Sequence, residues 1–351
     1  MALRLALGHI DEFDDSVAIF AQQLGLTGVQ FHTPANLPGT PGYWTVDELA
    51  ALVRHCDSYG LVVEGLENVP LWHWDKVLFG LPGRDEQLEN YQRTVRNLAA
   101  VGIGVLGHHF MPGYVWRTDL RAAGRGGALV TAFDLARVPA TGNALAAYKL
   151  APAGVDATIS PDQVWANYQV FLESVLPVAE EVGVRLALHP DDPPVDEPLG
   201  GIARVFTSPD GLKRAYELSG GSSAWGLNLC LGTVSEMDGE RSVNEVIDFF
   251  GPLGRIAYVH FRDVQGTVPA FTECFLGEGN YHPAQVIRRL ADNGFDGFVI
   301  DDHVPAMIGD PDTWADTSPE AYNSRARAHA IGYLQGILHT LDLDGQGRSS
   351  R

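Results

Sequence analysis

Short apolar runs alternate with longer amphipathic stretches along this chain. Eight runs read as strands: Leu3–Gly8, Leu26–His32, Leu61–Leu66, Ile103–Phe110, Val184–His189, Trp225–Cys230, Ile256–Phe261 and Gly297–Asp301. They are close to continuously apolar, the pattern of parallel strands buried on both faces. Helical periodicity fills the gaps, over Asp14–Leu24, Val46–Tyr59, Asp85–Ala100, Pro161–Val182, Ser208–Leu218, Ser242–Phe250, Pro283–Asn293 and Pro319–Thr340. Several of these stretches carry their own start and stop signals. Thr45 with Glu48 makes a capping-box pattern, and Ser160 precedes a proline at the first helical position. Gly60, Gly102, Gly183 and Gly294 follow helix ends as stops.

Eight strand-then-helix units predict an α/β fold, a single (β/α)8 TIM barrel over residues 1–341, rather than an open doubly wound sheet. No GxGxxG follows the first strand, which counts against a dinucleotide-binding fold. One stretch breaks the rhythm. Met111–Ile159 contains Gly124, Gly126, Gly127, Gly142 and Gly154 and is too long for an ordinary connection. It reads as an insertion after the fourth strand, either a lid over the site or a disordered insert. Residues 342–351, DLDGQGRSSR, read as a disordered tail.

Length and composition agree with one large domain: 351 residues, 45% of them hydrophobic. No apolar run approaches the ~20 residues that cross a bilayer. MALRLALGHI lacks the basic and long apolar regions of a signal peptide, so a cytoplasmic protein is expected. The formal charge is −20, from 24 Lys+Arg against 44 Asp+Glu. That argues against nucleic acid or an anionic membrane as partner. A small anionic substrate stays open, because one or two arginines suffice to bind a carboxylate, and homo-oligomerisation stays open too. The three cysteines, Cys56, Cys230 and Cys274, are too few and too scattered for a disulfide framework. Cys56 lies in a helical pattern and reads as a core residue.

Function in such a barrel sits at the C-terminal ends of the strands. There the fifth to eighth runs deliver His189, Cys230, His260 and Asp302 with His303. Each alone has a plainer reading, as a satisfied polar residue or a buried thiol. Together on one rim, imidazole, thiolate and carboxylate can hold Mn2+, Fe2+, Co2+ or Zn2+. Arg262 follows His260 and is suited either to a substrate carboxylate or to an ion pair with Asp263 or another neighbour. His32, Glu64, Glu67, His108 and His109 share the rim, as hydroxyl ligands or as loop supports. His73, between two tryptophans, reads as packed. Pro190–Pro194 reads as a stiff acidic turn.

The motifs along this rim resemble those of the mannonate dehydratase family of xylose-isomerase-like metal-dependent barrels. LALHPDDPP (Leu186–Pro194), GLNLCLG (Gly226–Gly232) and YVHFRDV (Tyr258–Val264) carry the resemblance. So do GRDEQLENYQRTVRNLAAVGI (Gly83–Ile103), HFMP with WRTDL (His109–Pro112, Trp116–Leu120) and AYNSRARAHAIGYLQGIL (Ala321–Leu338). The resemblance spans the barrel. It implies a lyase converting D-mannonate or a related hexonate to a 2-keto-3-deoxy acid, with a small sugar acid as partner. It implies one divalent metal, Mn2+ or Fe2+ ahead of Co2+ or Zn2+, on His189, Cys230, His260 and Asp302. His303 and Tyr322 would be the acid/base pair, and Arg262, His109 and His32 substrate contacts. Three positions depart from the family pattern. Ile300-Asp301-Asp302-His303-Val304 stands for its Arg-Pro-Asp-His-Gly, Phe271–Leu276 lacks the histidine of its FxExxH, and His109 replaces an asparagine. A divergent member is therefore expected. The alternatives are a metal-dependent sugar isomerase or epimerase, which a lost carboxylate-binding arginine favours, and a non-catalytic sugar-acid binding protein.

Overall fold

The computed structural model describes residues 3–144, 158–311 and 324–344. Its strands, in chain order, are β1 (Arg4–Ile10), β2 (Gly28–His32), β3 (Val62–Glu67), β4 (Val105–His108), β5 (Asp119–Ala123), β6 (Leu129–Asp134), β7 (Arg185–Leu188), β8 (Trp225–Cys230), β9 (Ile256–Phe261), β10 (Asp263–Thr267), β11 (Ala270–Cys274) and β12 (Phe298–Asp301). β1, β2, β3, β4, β7, β8, β9 and β12 close into a barrel in that order. All eight pairings are parallel, including the closing contact of β1 with β12. The eight apolar runs are these eight strands, and the expected TIM barrel is the fold.

The helices start and stop for the reasons given by their sequences. Thr45 and Glu48 form the capping box at Val46–Ser58, and Ser160 with Gln163 forms another at Pro161–Val182. Leu49, Leu52 and Cys56 bury one face of the first, so Cys56 is the core residue expected. The large core fills the layer between barrel and helices. A second cluster, including Ala6, Ala187, Tyr258, Phe298 and Ile300, joins strands from different parts of the barrel. Tyr258 crosses the barrel interior to reach β3 and β4. A Cβ on Gly107 would lie 2.0 Å from its hydroxyl, so only glycine fits there.

Two boundaries differ from expectation, and a third cannot be compared. The helix expected at Ser242–Phe250 begins at Leu231, directly after β8, and breaks at Asp238 and Gly239. Its first segment was hidden because Gly232 and Gly239 weaken the helical pattern. Gly232 is required there, since a Cβ would meet Arg262 Cγ at 2.6 Å. The last helix is described over Arg325–Thr340, and its expected start lies outside the described residues. The segment read as a tail begins with ordered residues: Leu3 N–H donates to the Leu343 carbonyl, and Leu343 packs on the core. Residues 345–351 lie outside the description.

The insertion after β4 contains β5 and β6, while 145–157 lie outside the described residues. A second excursion, β10–β11, follows β9 and was not foreseen. The two join in one antiparallel sheet of order β10-β11-β6-β5, with Phe271 opposite Phe133. Phe133, Val195, Leu199, Val264 and Phe271 form its own small core.

Candidate active site

Strand alternation decides which rim side chains face the mouth. On β8, Asn228 and Cys230 share a face; on β9, Tyr258 and His260 do. His189 immediately follows β7. Ligand atoms of His189, Cys230 and His260 all lie within 4.8 Å of one another, and all three residues are buried. Asp302 joins from after β12: its Oδ2 lies 3.6 Å from His260 Nδ1 and 3.9 Å from Cys230 Sγ. The four expected ligands are thus neighbours.

The second ring nitrogen of each histidine is committed elsewhere. His189 Nδ1 donates to the Pro190 carbonyl at 2.6 Å, which leaves Nε2 for the mouth. His260 Nε2 lies 2.9 Å from Glu67 Oε2. Its Nδ1 is buried without a hydrogen-bond partner among the described residues. Glu67, at the end of β3, organises this corner. It also accepts from Tyr258 Oη at 2.9 Å, Gln30 at 3.0 Å and Asn228 at 3.1 Å, and meets His109 Nε2 at 2.5 Å. Burial alone would raise its pKa, but His260 and His109 hold it well below the usual carboxylate range. Burial likewise opposes charge on Cys230 and His260. For Cys230, Arg262 and His260 outweigh it and the thiol is acidified. For His260, Glu67, Asp302 and Cys230 outweigh it and the pKa rises well above the ordinary value. These surroundings favour positive charge at the point where the ligands meet, a proton or a metal ion.

Asp302 and His303 are consecutive, which on a strand would send them to opposite faces. β12 ends at Asp301, so both reach the mouth. Asp301 instead ties the barrel to the last helix, accepting from Arg327 at 2.8 Å. His303 Nδ1 lies 2.6 Å from Glu273 Oε1, and its Nε2 lies 3.6 Å from Asp302 Oδ1. Ile300, where the family pattern has arginine, is in the barrel's inner apolar cluster. Tyr322 lies outside the described residues.

Arg262, read either as a substrate contact or as half of an ion pair, is surrounded by carboxylates. It is 1% exposed. It donates to Asp192 at 2.7 Å, Glu236 at 2.9 Å, Thr233 at 2.8 Å and Glu273 at 3.3 Å, with Nε 3.2 Å from Asp302. A guanidinium among so many buried carboxylates is held in place by them. Asp263 is not its partner: that carboxylate accepts from the backbone N–H groups of Val264, Gly277, Gly279 and Asn280. His109 contacts Glu67, with its ring 4.2 Å from that of His189. His32 lies 3.0 Å from Asn68 Nδ2 and stacks on His9. Both are on the rim, beside the ligand cluster. His108 points away, into aromatic core, and Glu64 pairs with exposed Arg4.

Sequence reading missed Arg117, His9, Glu236 and Glu273. Arg117 forks onto Asp192 at 2.6 and 2.9 Å and donates to Glu273 at 3.1 Å and Thr131 at 2.9 Å. It thereby pins the small sheet to the loop after β7. Arg117 lies in the motif WRTDL, but an arginine beside a polar Thr-Asp pair gave no local signal of burial. The loop Pro190–Pro194 does more than turn: Asp191 accepts from the backbone of Val205 and Phe206, and Asp192 from both arginines.

The D-mannonate dehydratase (UxuA) family model matches residues 11–347 of this chain. A mannonate dehydratase of Shouchella clausii (strain KSM-K16) is 29% identical, with 99% of this chain and 100% of that protein covered. One from Geobacillus thermodenitrificans (strain NG80-2) is 28% identical, over 92% of this chain and 90% of the relative. The crystal structure of mannonate dehydratase from Streptococcus suis serotype2 shares the fold, with a TM-score of 0.79 at 24% identity and 96% of each chain covered. Sequence likeness along nearly the whole barrel thus coincides with a His–Cys–His cluster at its mouth, and the chain belongs to the D-mannonate dehydratase (UxuA) family.

Proposed function

We propose that this chain dehydrates D-mannonate or a closely related hexonate to the 2-keto-3-deoxy acid, at a site where His189, Cys230, His260 and Asp302 hold one divalent metal ion, Mn2+ or Fe2+ first. Family membership makes the chain a sugar-acid hydro-lyase; the particular hexonate, the metal and the residue roles are this proposal's additions. One observation carries the metal assignment: two imidazoles and an acidified thiol converge, with Nδ1 of His260 buried and 3.6 Å from Asp302 Oδ2. That donor set fits a divalent transition metal, and Glu67 behind His260 is the supporting carboxylate such ligands require.

Bound there, the ion would supply Lewis-acid stabilisation of the enolate-like charge formed as the C2 proton leaves. The remaining work belongs to side chains. In the reaction the C2–H bond breaks and its proton passes to a base. The C3–O bond breaks, with a proton from an acid making the leaving group water, and the enol then becomes the 2-keto group. His303, oriented by Glu273, and Tyr322 take these proton-transfer roles. Arg262 and Arg117 fix the carboxylates around them. The insertion 111–159 is the cover that excludes water.

The test is metal analysis combined with a hexonate screen that reads 2-keto-3-deoxy acid formation separately from isomerisation. Cys230→Ala and His260→Ala should lose most bound metal and all turnover. Tyr322→Phe should keep metal and lose turnover by about 10²–10⁴-fold. Full metal occupancy in both ligand variants would sink the ligand assignment, and isomerisation without keto-acid release would sink the reaction.

A further inference from the structure

Across the mouth from the ligand cluster, β1 ends in an irregular way. His9 has a positive φ of 60°, a conformation that a branched or bulky side chain adopts only at a cost. The β1–β2 register shifts between Leu7 and Ile10, so His9 sits in a bulge. The bulge is held in place. His9 N–H donates to Gln30 Oε1 at 2.9 Å, and Gln30 Nε2 donates to Glu67, the carboxylate behind His260. The strained backbone is thus tied by one hydrogen-bonded chain to the ligand cluster.

The bulge turns the imidazole towards the mouth. His9 Nδ1 lies 3.4 Å from Asp302 Oδ1, and the side chain is 22% exposed. His303 Nε2 lies 3.6 Å from the same oxygen. The two rings meet edge to face, 6.1 Å between centroids. His9, Asp11 and His32 also group closely enough to suggest a second metal site. Ring geometry speaks against it. His9 and His32 stack 4.3 Å apart and 9° from parallel, so their in-plane lone pairs run side by side instead of converging on one ion.

We propose that His9 is a substrate-contacting residue whose imidazole hydrogen-bonds a hydroxyl of the sugar-acid chain lying over Asp302, opposite His303. This rests on the proposed hexonate reading. His32 stacks behind the ring and sets its plane, so His32 is a positioning residue. A bulge, a left-handed histidine and a stacked support serve to aim one polar group at the cavity. Backbone strain of this kind persists where the surrounding structure enforces it, and it clusters at ligand-binding positions.

The conformation itself supplies the clean variants. Glycine and asparagine are the residues that accept φ near 60°, so His9→Gly and His9→Asn remove the ring without disturbing the backbone. Wild type and both variants, purified with the metal they carry, are compared for D-mannonate and D-gluconate binding by calorimetry, for KM and kcat, for metal content and for Tm. His9→Gly should weaken hexonate binding and raise KM about tenfold, the effect of one lost hydrogen bond. Its metal content and Tm should match wild type. His9→Asn, which keeps a hydrogen-bonding group, should recover part of the affinity. Binding and KM within twofold of wild type in His9→Gly overturn the assignment, as does a fall in Tm with KM unchanged, which marks a structural residue. A wild type that binds and turns over no hexonate overturns the hexonate reading, and this inference with it.

Discussion

His108 and His109 are adjacent in sequence and face opposite environments. Alternation sends His109 to Glu67 at the mouth and His108 outward among Trp74, Tyr168 and Phe171. Neither nitrogen of His108 has a hydrogen-bond partner among the described residues, and burial drives its pKa down to about 3. A buried polar ring without partners costs stability that an apolar side chain of similar volume does not. His108→Leu should therefore raise stability by about 1 kcal/mol, seen as a higher urea midpoint at neutral pH with turnover intact. A loss of that size instead would mean that His108 has a partner, such as a buried water.

At the scale of elements, the small antiparallel sheet depends on Arg117. Removing one partner from a buried ion-pair network leaves charges uncompensated, at a cost of about 3–5 kcal/mol. Arg117→Met leaves Thr131 without its donor and Asp192 and Glu273 with Arg262 as their main cation. Limited proteolysis should then cut within 111–144 well before the barrel, and turnover should fall with metal content unchanged. A variant as protease-resistant as wild type would show that strand pairing and apolar contacts alone hold the sheet. The barrel strands were legible because strands buried on both faces leave continuous apolar runs. The β10–β11 hairpin was not, since Gln265, Gly266 and Ala270 are exposed and its partner β6 lies far back in sequence. The same division holds for the site. The proximity of His189, Cys230, His260 and Asp302 was legible because their residue types recur at strand ends. Arg117, His9 and Glu273 make their contacts between distant segments, and the motifs WRTDL and Phe271–Leu276 that contain two of them do not record those contacts.

For the whole molecule, acid acts in two opposing ways. Lowering pH from neutral reduces the self-repulsion of a chain with formal charge −20, which favours folding. Buried imidazoles act the other way. His73 is depressed to about 4 and His108 to about 3, both chiefly by burial, from an ordinary 6.5. The unfolded chain binds these protons first, so their contribution is full above pH 6.5 and is lost as pH falls towards those values. Glu273, held at about 2 against its own burial chiefly by His303, then loses its contribution below about 4.5. Two buried imidazoles amount to a few kcal/mol in order of magnitude, and surface repulsion is largely screened at physiological salt. Tm in 0.15 M salt should thus fall steadily from pH 6.5 to 4; a Tm that rises across that interval would show repulsion to dominate. No helix among the described residues is long and apolar enough to cross a membrane. The pairing of β6 with β11 has a mechanical consequence. One excursion springs from β4 and the other from β9, and between those strands in the barrel stand β7 and β8. The sheet is therefore an arch with two abutments rather than a flap on one hinge. The strands leading to His189 and Cys230 stand beneath its span, so they cannot spread without stretching the keystone pairing above. Part of what keeps the His189–Cys230–His260 cluster rigid is thus built outside the barrel.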